Sequence, residues 1–513
     1  MIFRYNESAG ISSLDPAFAR NQANMWMVHQ LYNTLVEVDD SLRTKPSLAR
    51  SWTISGDGKE MTFILRDDVF FHDDPCFKNG VGRRLKAADV VYSFERIMDP
   101  ATASPGAWIF NERVDLMNAF TAPNDSTFIL RLRRPFLPML GILTMPYCSV
   151  VPEEAVLHYG ITFRNHPVGS GPFRFVNWVE GQALVCKKNE KYFETDEQGN
   201  RIPYLDGIFA SFYDSKSTEF LQFRQHKLDF INDIDVSFKD EVLTRSGKFR
   251  KEWHSSVNLH KHPYLNTEYL GILMDTSKNG VSPLSEKKIR QAINCGINRD
   301  RMMLYLRNSI GTAATAGFVP RGLPSFDENA NLYPYDPARA IQLLKEAGYT
   351  SASQPVTLIT IPQYANLGVY IAKELEQIGM KVQVDVVPKN LLLQQTAASQ
   401  AAFFRGSWIA DYPDAENYLS VFYGKNPAPP NYTRFKNGQF DAWYESAVAE
   451  ADDRNRYELY RKMDSLIMAE APVVPLWYDM VIHLVQKNVE GFSPNSLNML
   501  ELRRVRKFVV GSL

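Results

Sequence analysis

Cysteine is scarce: four in 513 residues. Cys76, Cys148, Cys186 and Cys295 show no CxxC spacing, so a dense disulfide framework is excluded while one or two bridges stay open. No run of 18 or more apolar residues occurs, so no apolar segment is long enough to span a membrane as a helix. Charge of one sign is also lacking. The 57 Lys and Arg against 58 Asp and Glu leave a formal net charge of -1, without the broad basic field that a nucleic-acid partner requires. The one basic run, Arg503-Arg504-Val505-Arg506-Lys507, is short and is expected to form a solvated strand or helix face. Internal repeats and low-complexity stretches are missing. What is present is an ordinary globular composition, 45% hydrophobic and 22% charged, enough for two to four domains. Aromatics make up 12% and are spread throughout, which argues against disorder away from the ends. The start, Met1-Ile2-Phe3-Arg4-Tyr5, runs straight into polar sequence with no leader pattern.

Motifs of catalysis are absent as well. There is no P-loop, no GxGxxG after a strand, no GxSxG and no HExxH. Gly169-Ser170-Gly171-Pro172 reads as a tight turn, since a catalytic serine there would lack its elbow. His260 and His262 would point the same way on a strand, but no Cys, Asp or Glu lies within two residues, and a metal site needs three or four ligands. They are expected at a polar strand end. Asp73-Asp74 and Asp452-Asp453 read as a turn or solvated helix face rather than acid/base couples. No metal site, cofactor or enzyme activity is expected.

The most legible region is 336–411. Asp336-Pro337 is an N-cap followed by proline at the first helical position. Ala340, Leu343, Leu344 and Ala347 continue at helical spacing, and Gly348 stops the helix. Residues 356–361 read as a buried strand, 367–378 as a helix, 382–386 as an alternating strand, 389–399 as a helix and 402–408 as a third strand. This βαβαβ order predicts a parallel sheet with helices on both faces. Earlier in the chain, 61–66 and 128–132 read as strands and 85–98 as a helix, giving α+β character and a separate subdomain near 45–165.

Where the third strand ends, Arg405-Gly406-Ser407-Trp408-Ile409-Ala410-Asp411-Tyr412-Pro413-Asp414 brings a cation, an indole and an anion into one short stretch. Ligands of open α/β sheets bind outside the carboxyl ends of strands. The combination suits a zwitterion, with Asp for an ammonium, Arg for a carboxylate and Trp for packing. A core Trp followed by an Asp-Tyr-Pro-Asp turn is the structural alternative.

An ordered set of motifs resembles the family 5 extracellular solute-binding proteins of ABC transporters, the oligopeptide and dipeptide receptors, over nearly the full length. These are Ser13-Leu14-Asp15-Pro16, Pro46-Ser47-Leu48-Ala49-Arg50-Ser51-Trp52, residues 57–66, Val69-Phe70-Phe71-His72-Asp73, Ala88-Asp89-Val90-Val91-Tyr92-Ser93, Pro167 to Phe173, Tyr204-Leu205-Asp206-Gly207-Ile208, Ile289-Arg290-Gln291-Ala292-Ile293, and 340–348. The resemblance implies an α/β periplasmic-binding-protein-like fold, two lobes joined by a hinge, with an extra α+β domain. Domain I would comprise 1–44, 166–262 and 483–513, domain II the inserted 45–165, and domain III 263–482.

The resemblance further implies a monomeric receptor that closes over a short peptide and delivers it to ABC transporter permease subunits. It would work in the periplasm or at the outer face of the cytoplasmic membrane, where members are often lipid-anchored. Asp411 of the W-x-x-D motif would take the peptide ammonium, with Trp408 as its partner and Ile409 and Ala410 between them. Arg405 would meet the carboxylate. Arg20, Asn21 and Gln22, with Trp108 or Ile109, would contribute from the other lobe. Leu273-Met274 stands where many members carry Asn, and 74–84 replaces a short turn and is expected as a surface insertion. Metal chelates, haem, sugars and opines are the non-peptide alternatives that the same family fold serves; a peptidase is the enzymatic alternative.

Overall fold

In the region that the periodicity makes clearest, local chemistry sets the element boundaries. The computed structural model describes residues 1–509 except 116, 276, 278–281 and 351. Asp336 caps the helix Pro337–Glu346, its carboxylate accepting from the Arg339 amide, and Gly348 takes φ +71° to end it, a conformation that costs glycine nothing. Then follow strand Val356–Thr360, helix Ala365–Gln377, strand Val382–Val386, helix Lys389–Ala397 and strand Phe403–Ile409. Val356–Thr360 pairs in parallel with Val382–Val386 on one side and Phe403–Ile409 on the other, as the βαβαβ order predicts. Because the chain steps outward and then back across its first strand, the order reverses beside the carboxyl end of Phe403–Ile409. That is where open α/β sheets hold ligands. Leu270, Ile293, Leu343, Leu358, Leu375 and Phe403 belong to one buried cluster under this sheet.

The chain forms two compact units, one of residues 1–242, 249–262 and 481–513, the other of 243–248 and 263–480. Thus 243–248 group with the second unit and 481–482 with the first. The passages at 262/263 and 480/481 fall inside two long strands, Val257–Ile272 and Val473–Gln486.

In the first unit, Ile2–Asn6 pairs in parallel with Gly207–Ser211, which continues antiparallel through Ala183–Lys188 to Phe173–Val179. A separate antiparallel sheet is ordered Ala49–Ile54, Glu60–Leu65, Thr127–Arg131, Phe120–Asn124. Phe94, from helix Ala87–Met98, meets Phe120 and Phe128 edge-on with ring centroids 5.5 Å apart. This self-contained aromatic core is the basis on which we propose 45–165 as an inserted domain.

Three further features refine the sequence reading. Asp15 of the Leu-Asp-Pro motif is buried and receives Arg96 at 2.6 and 2.9 Å. Gly169 and Gly171 lie so close to the backbone at Leu31 that an added Cβ would stand 2.1 and 2.4 Å from its carbonyl group; close chain approach, not chemistry, explains the Gly-Ser-Gly turn. All four cysteines are free.

Two surface expectations are corrected. Arg503 is buried, not solvated, because it neutralises Glu37, Glu194 and Glu501 together. Within 74–84, Phe77 is buried and stacks on Phe71 at 5.9 Å, and Arg83 pairs with both Asp89 and Glu154. That insertion therefore packs onto its unit as well as covering surface. His262 is buried beside His483, ring centroids 5.0 Å apart. Among the described residues no group of three or more His, Cys, Asp or Glu is placed to hold a metal ion, and no helix is long and apolar enough to cross a membrane.

Candidate functional site

Strand Phe403–Ile409 delivers its last residues to the reversal point, and the turn that follows is tied down by one buried amide. Asn417 is the second residue of the short helix Glu416–Leu419. Its Oδ1 accepts from the Trp408 indole N–H at 3.0 Å and from the Asp411 backbone N–H at 3.3 Å, while its Nδ2 donates to Asp411 Oδ2 at 3.4 Å. Trp408 and Asp411 are thereby brought together through a residue six positions beyond the motif. Beneath them, Glu416 is buried and accepts hydrogen bonds from the hydroxyls of Tyr412 and Tyr444, which anchors the helix that carries Asn417.

Asp411 itself is exposed, yet surrounding protein partly desolvates its carboxyl. Its pKa is raised above the usual carboxylate range, chiefly by that desolvation, with the Asn417 hydrogen bond pulling the other way. Among the described residues no cation pairs with it. Asn417→Ala removes the opposing hydrogen bond, so the Asp411 carboxyl is expected to protonate at higher pH than in the wild type. An NMR carboxyl titration of aspartate-labelled protein checks this; superimposed titration curves would contradict it.

Arg405 lies elsewhere in the site. Side chains alternate along a strand, and the antiparallel register from Asn266↔Ile409 to Ile272↔Phe403 is unbroken. Arg405, Ser407 and Ile409 therefore share one face with Asn266 and Glu268, and Trp408 takes the opposite face. Arg405 is already engaged there: its NH2 donates to Glu268 Oε2 at 2.7 Å and its Nε pairs with Oε1. Tyr364 lies flat against the guanidinium, 3.6 Å from Cζ to the ring centroid. Nearby, Arg307 pairs with Asp479 at 2.6 Å, and Asn266 donates to the same carboxylate at 3.1 Å.

The four charges form one electrostatic group. Glu268 feels Arg405, Asp479 and Arg307, and Tyr364 feels all four. With Glu268 ionised, two cations and two anions cancel. Burial pushes the Glu268 carboxyl up to about 7, and Arg405 holds it back from going further.

In the first unit, Asn21 caps helix Gln22–Leu31 by accepting from the Asn24 amide at 2.9 Å. Gln22 Oε1 accepts from Asn232 at 3.1 Å, and Arg20 is exposed. Trp108 sits in the turn Ala107–Ile109 with the Arg113 guanidinium 5.6 Å from its ring. In the second unit, Ile409 is exposed, and the Ala410 amide donates to the Leu265 carbonyl at 2.9 Å.

Asn417 and Glu268 escape a local reading of the sequence. The signal available for Glu268 was a charged residue at the head of an apolar run, Tyr269-Leu270-Gly271-Ile272, with Arg405 set equally oddly after Phe403-Phe404. Two lone, opposite charges in buried strands ought to find each other.

Comparison with known proteins agrees with this architecture. Residues 43–430 match the family described as bacterial extracellular solute-binding proteins, family 5 middle. Heme-binding protein A of Haemophilus influenzae is 28% identical over 485 residues, covering 90% of this chain and 84% of that protein. The dipeptide-binding protein of Escherichia coli is 25% identical over 486 residues, covering 90% and 86%. The unliganded open form of MppA, a periplasmic murein tripeptide binding protein, superposes with a TM-score of 0.85 at 20% identity, covering 98% of this chain and 97% of that one. With the family matched across most of the chain, this protein belongs to the family 5 bacterial extracellular solute-binding proteins, receptors for ABC transport that bind their ligand without acting on it chemically.

Proposed function

We propose that this receptor captures a short peptide outside the cytoplasm, in the periplasm or at the outer face of the membrane, and passes it to the permease subunits of an ABC transporter. The observation that carries the reading is Asp411: an exposed yet partly desolvated carboxylate, oriented by Asn417, with no cationic partner among the described residues. A ligand ammonium supplies the missing charge, and a charge-assisted hydrogen bond of this kind is among the stronger polar contacts. Trp408, fixed by the same amide, offers an aromatic surface beside the ammonium. Dipeptide- and tripeptide-binding proteins among the relatives support a peptide of a few residues. Arg20, Asn21, Gln22 and Trp108 remain the proposed contributors from the first unit.

A second reading is favoured by one specific observation, the 28% identity to a protein named for haem binding. Mass spectrometry of small molecules released from protein purified under native conditions separates the two. The peptide reading expects species of two to five residues with free amino termini. Release of haem, a sugar, an opine or a metal chelate would overturn it.

A further inference from the structure

We propose that Glu268 is a specificity-determining residue: by holding Arg405 in a buried ion pair, it withholds that cation from a ligand carboxylate. The receptor then selects ligands by their ammonium and does not depend on a free carboxylate at Arg405. This rests on the peptide reading above and goes beyond it, because it predicts which end of the ligand is read.

Several features of the geometry support this. The guanidinium spends Nε and NH2 on Glu268 and one flat face on Tyr364, and only 11% of the Arg405 side chain remains exposed. A ligand carboxylate approaching what is left would share the cation with a Glu268 side chain only 1% exposed, too buried to be screened by water. The neighbouring Arg307 offers no alternative, since Asp479 already pairs with it and Asn266 braces that carboxylate. The face as a whole carries no net charge to attract an anion. Strand alternation also sets Arg405 on the opposite side of the sheet from Trp408, so the cation is not a neighbour of the indole above the ammonium site.

Removing the charge of Glu268 while keeping its shape should unmask Arg405. The test compares a pooled library of di- to pentapeptides in free-acid, C-terminal amide and N-acetyl forms by calorimetry on the full chain. At pH 8.5, where Glu268 is ionised, wild type is expected to bind acids and amides within about threefold of each other, since no charge-assisted bond separates them. Glu268→Gln is expected to raise the acid-to-amide preference at least about tenfold, the scale of one such bond.

The wild type gives an independent reading without mutation. Burial holds the Glu268 carboxyl near 7, so its protonation between pH 8.5 and 5.5 should release Arg405 and raise the same preference as pH falls. Asp411 acts on the ammonium common to acids and amides, and the charges facing Glu268, those of Arg405, Arg307 and Asp479, meet both forms alike. The ratio therefore isolates the carboxylate. The proposal is overturned by a strong acid preference in wild type at pH 8.5 that disappears in the Glu268→Gln/Arg405→Gln double variant. It is equally overturned by a ratio that neither Glu268→Gln nor acid pH moves. If acids, amides and N-acetyl forms bind alike, the role of Asp411 fails while the Glu268 reading is judged separately by the variant ratio. Absence of peptide binding in every form rejects both.

Discussion

Asp411→Asn is expected to weaken binding of a free-amino peptide by roughly 10- to 100-fold, the value of one hydrogen bond between charged groups. Asparagine keeps the size of the side chain and its contact with Asn417, so what is lost is charge. Because Asp411 is exposed, the fold should hardly notice. The raised pKa sets the sign of the small effect that remains. A carboxyl that is harder to ionise in the folded state contributes stability while protonated and loses it as pH rises through its folded pKa. The variant escapes that loss, so it should be equal to wild type in acid and no less stable at neutral pH. The informative comparison is a cycle. N-acetylation should cost wild type most of its affinity and cost Asp411→Asn little more, because each change removes the same contact. If the two penalties add in full, Asp411 and the ammonium do not meet.

Arg405→Ala should produce the largest change in stability. It strands the Glu268 carboxyl, 1% exposed at its side chain, and breaking one side of a buried pair costs about 3–5 kcal/mol when the remaining charge cannot escape. Glu268 can escape by taking up a proton. Its folded pKa already stands at about 7 with Arg405 in place, above the unfolded carboxylate range near ~4.3, and removing the cation drives it higher. The stability tied to this group is complete below the unfolded value and is lost as pH rises through the folded one. The variant should therefore be only mildly destabilised at pH 5.5 and severely at pH 8.5. Urea midpoints at the two pH values decide it; an equal deficit at both would mean that lost packing against Tyr364, rather than the stranded charge, sets the cost.

The parts of the molecule legible in the sequence are those governed by contacts close along the chain. Asp336 with Pro337, the alternation through Val382–Val386 and the stop at Gly348 each encode a boundary locally, and the structure places elements within a few residues of those expected. The joining of Trp408 to Asp411 is half legible. The motif names both residues, but the amide that unites them belongs to the next helix.

Arg405 shows where such reading stops. Proximity along the chain grouped it with Trp408, whereas strand alternation separates them and a partner 137 residues away claims its charge. Arg503 makes the same point. Within a run of basic residues it reads as solvated, and only the fold reveals the three carboxylates around it. Charge pairing in buried strands is decided by register between distant segments, which no window of sequence contains.

The central claim, that this receptor recognises a ligand through an ammonium held by Asp411, is tested most directly by titrating the wild-type protein with matched peptides that differ only in N-terminal acetylation. The account predicts calorimetric binding of the free-amino peptides and a loss of roughly tenfold or more on acetylation. Equal affinity for the two forms would contradict it.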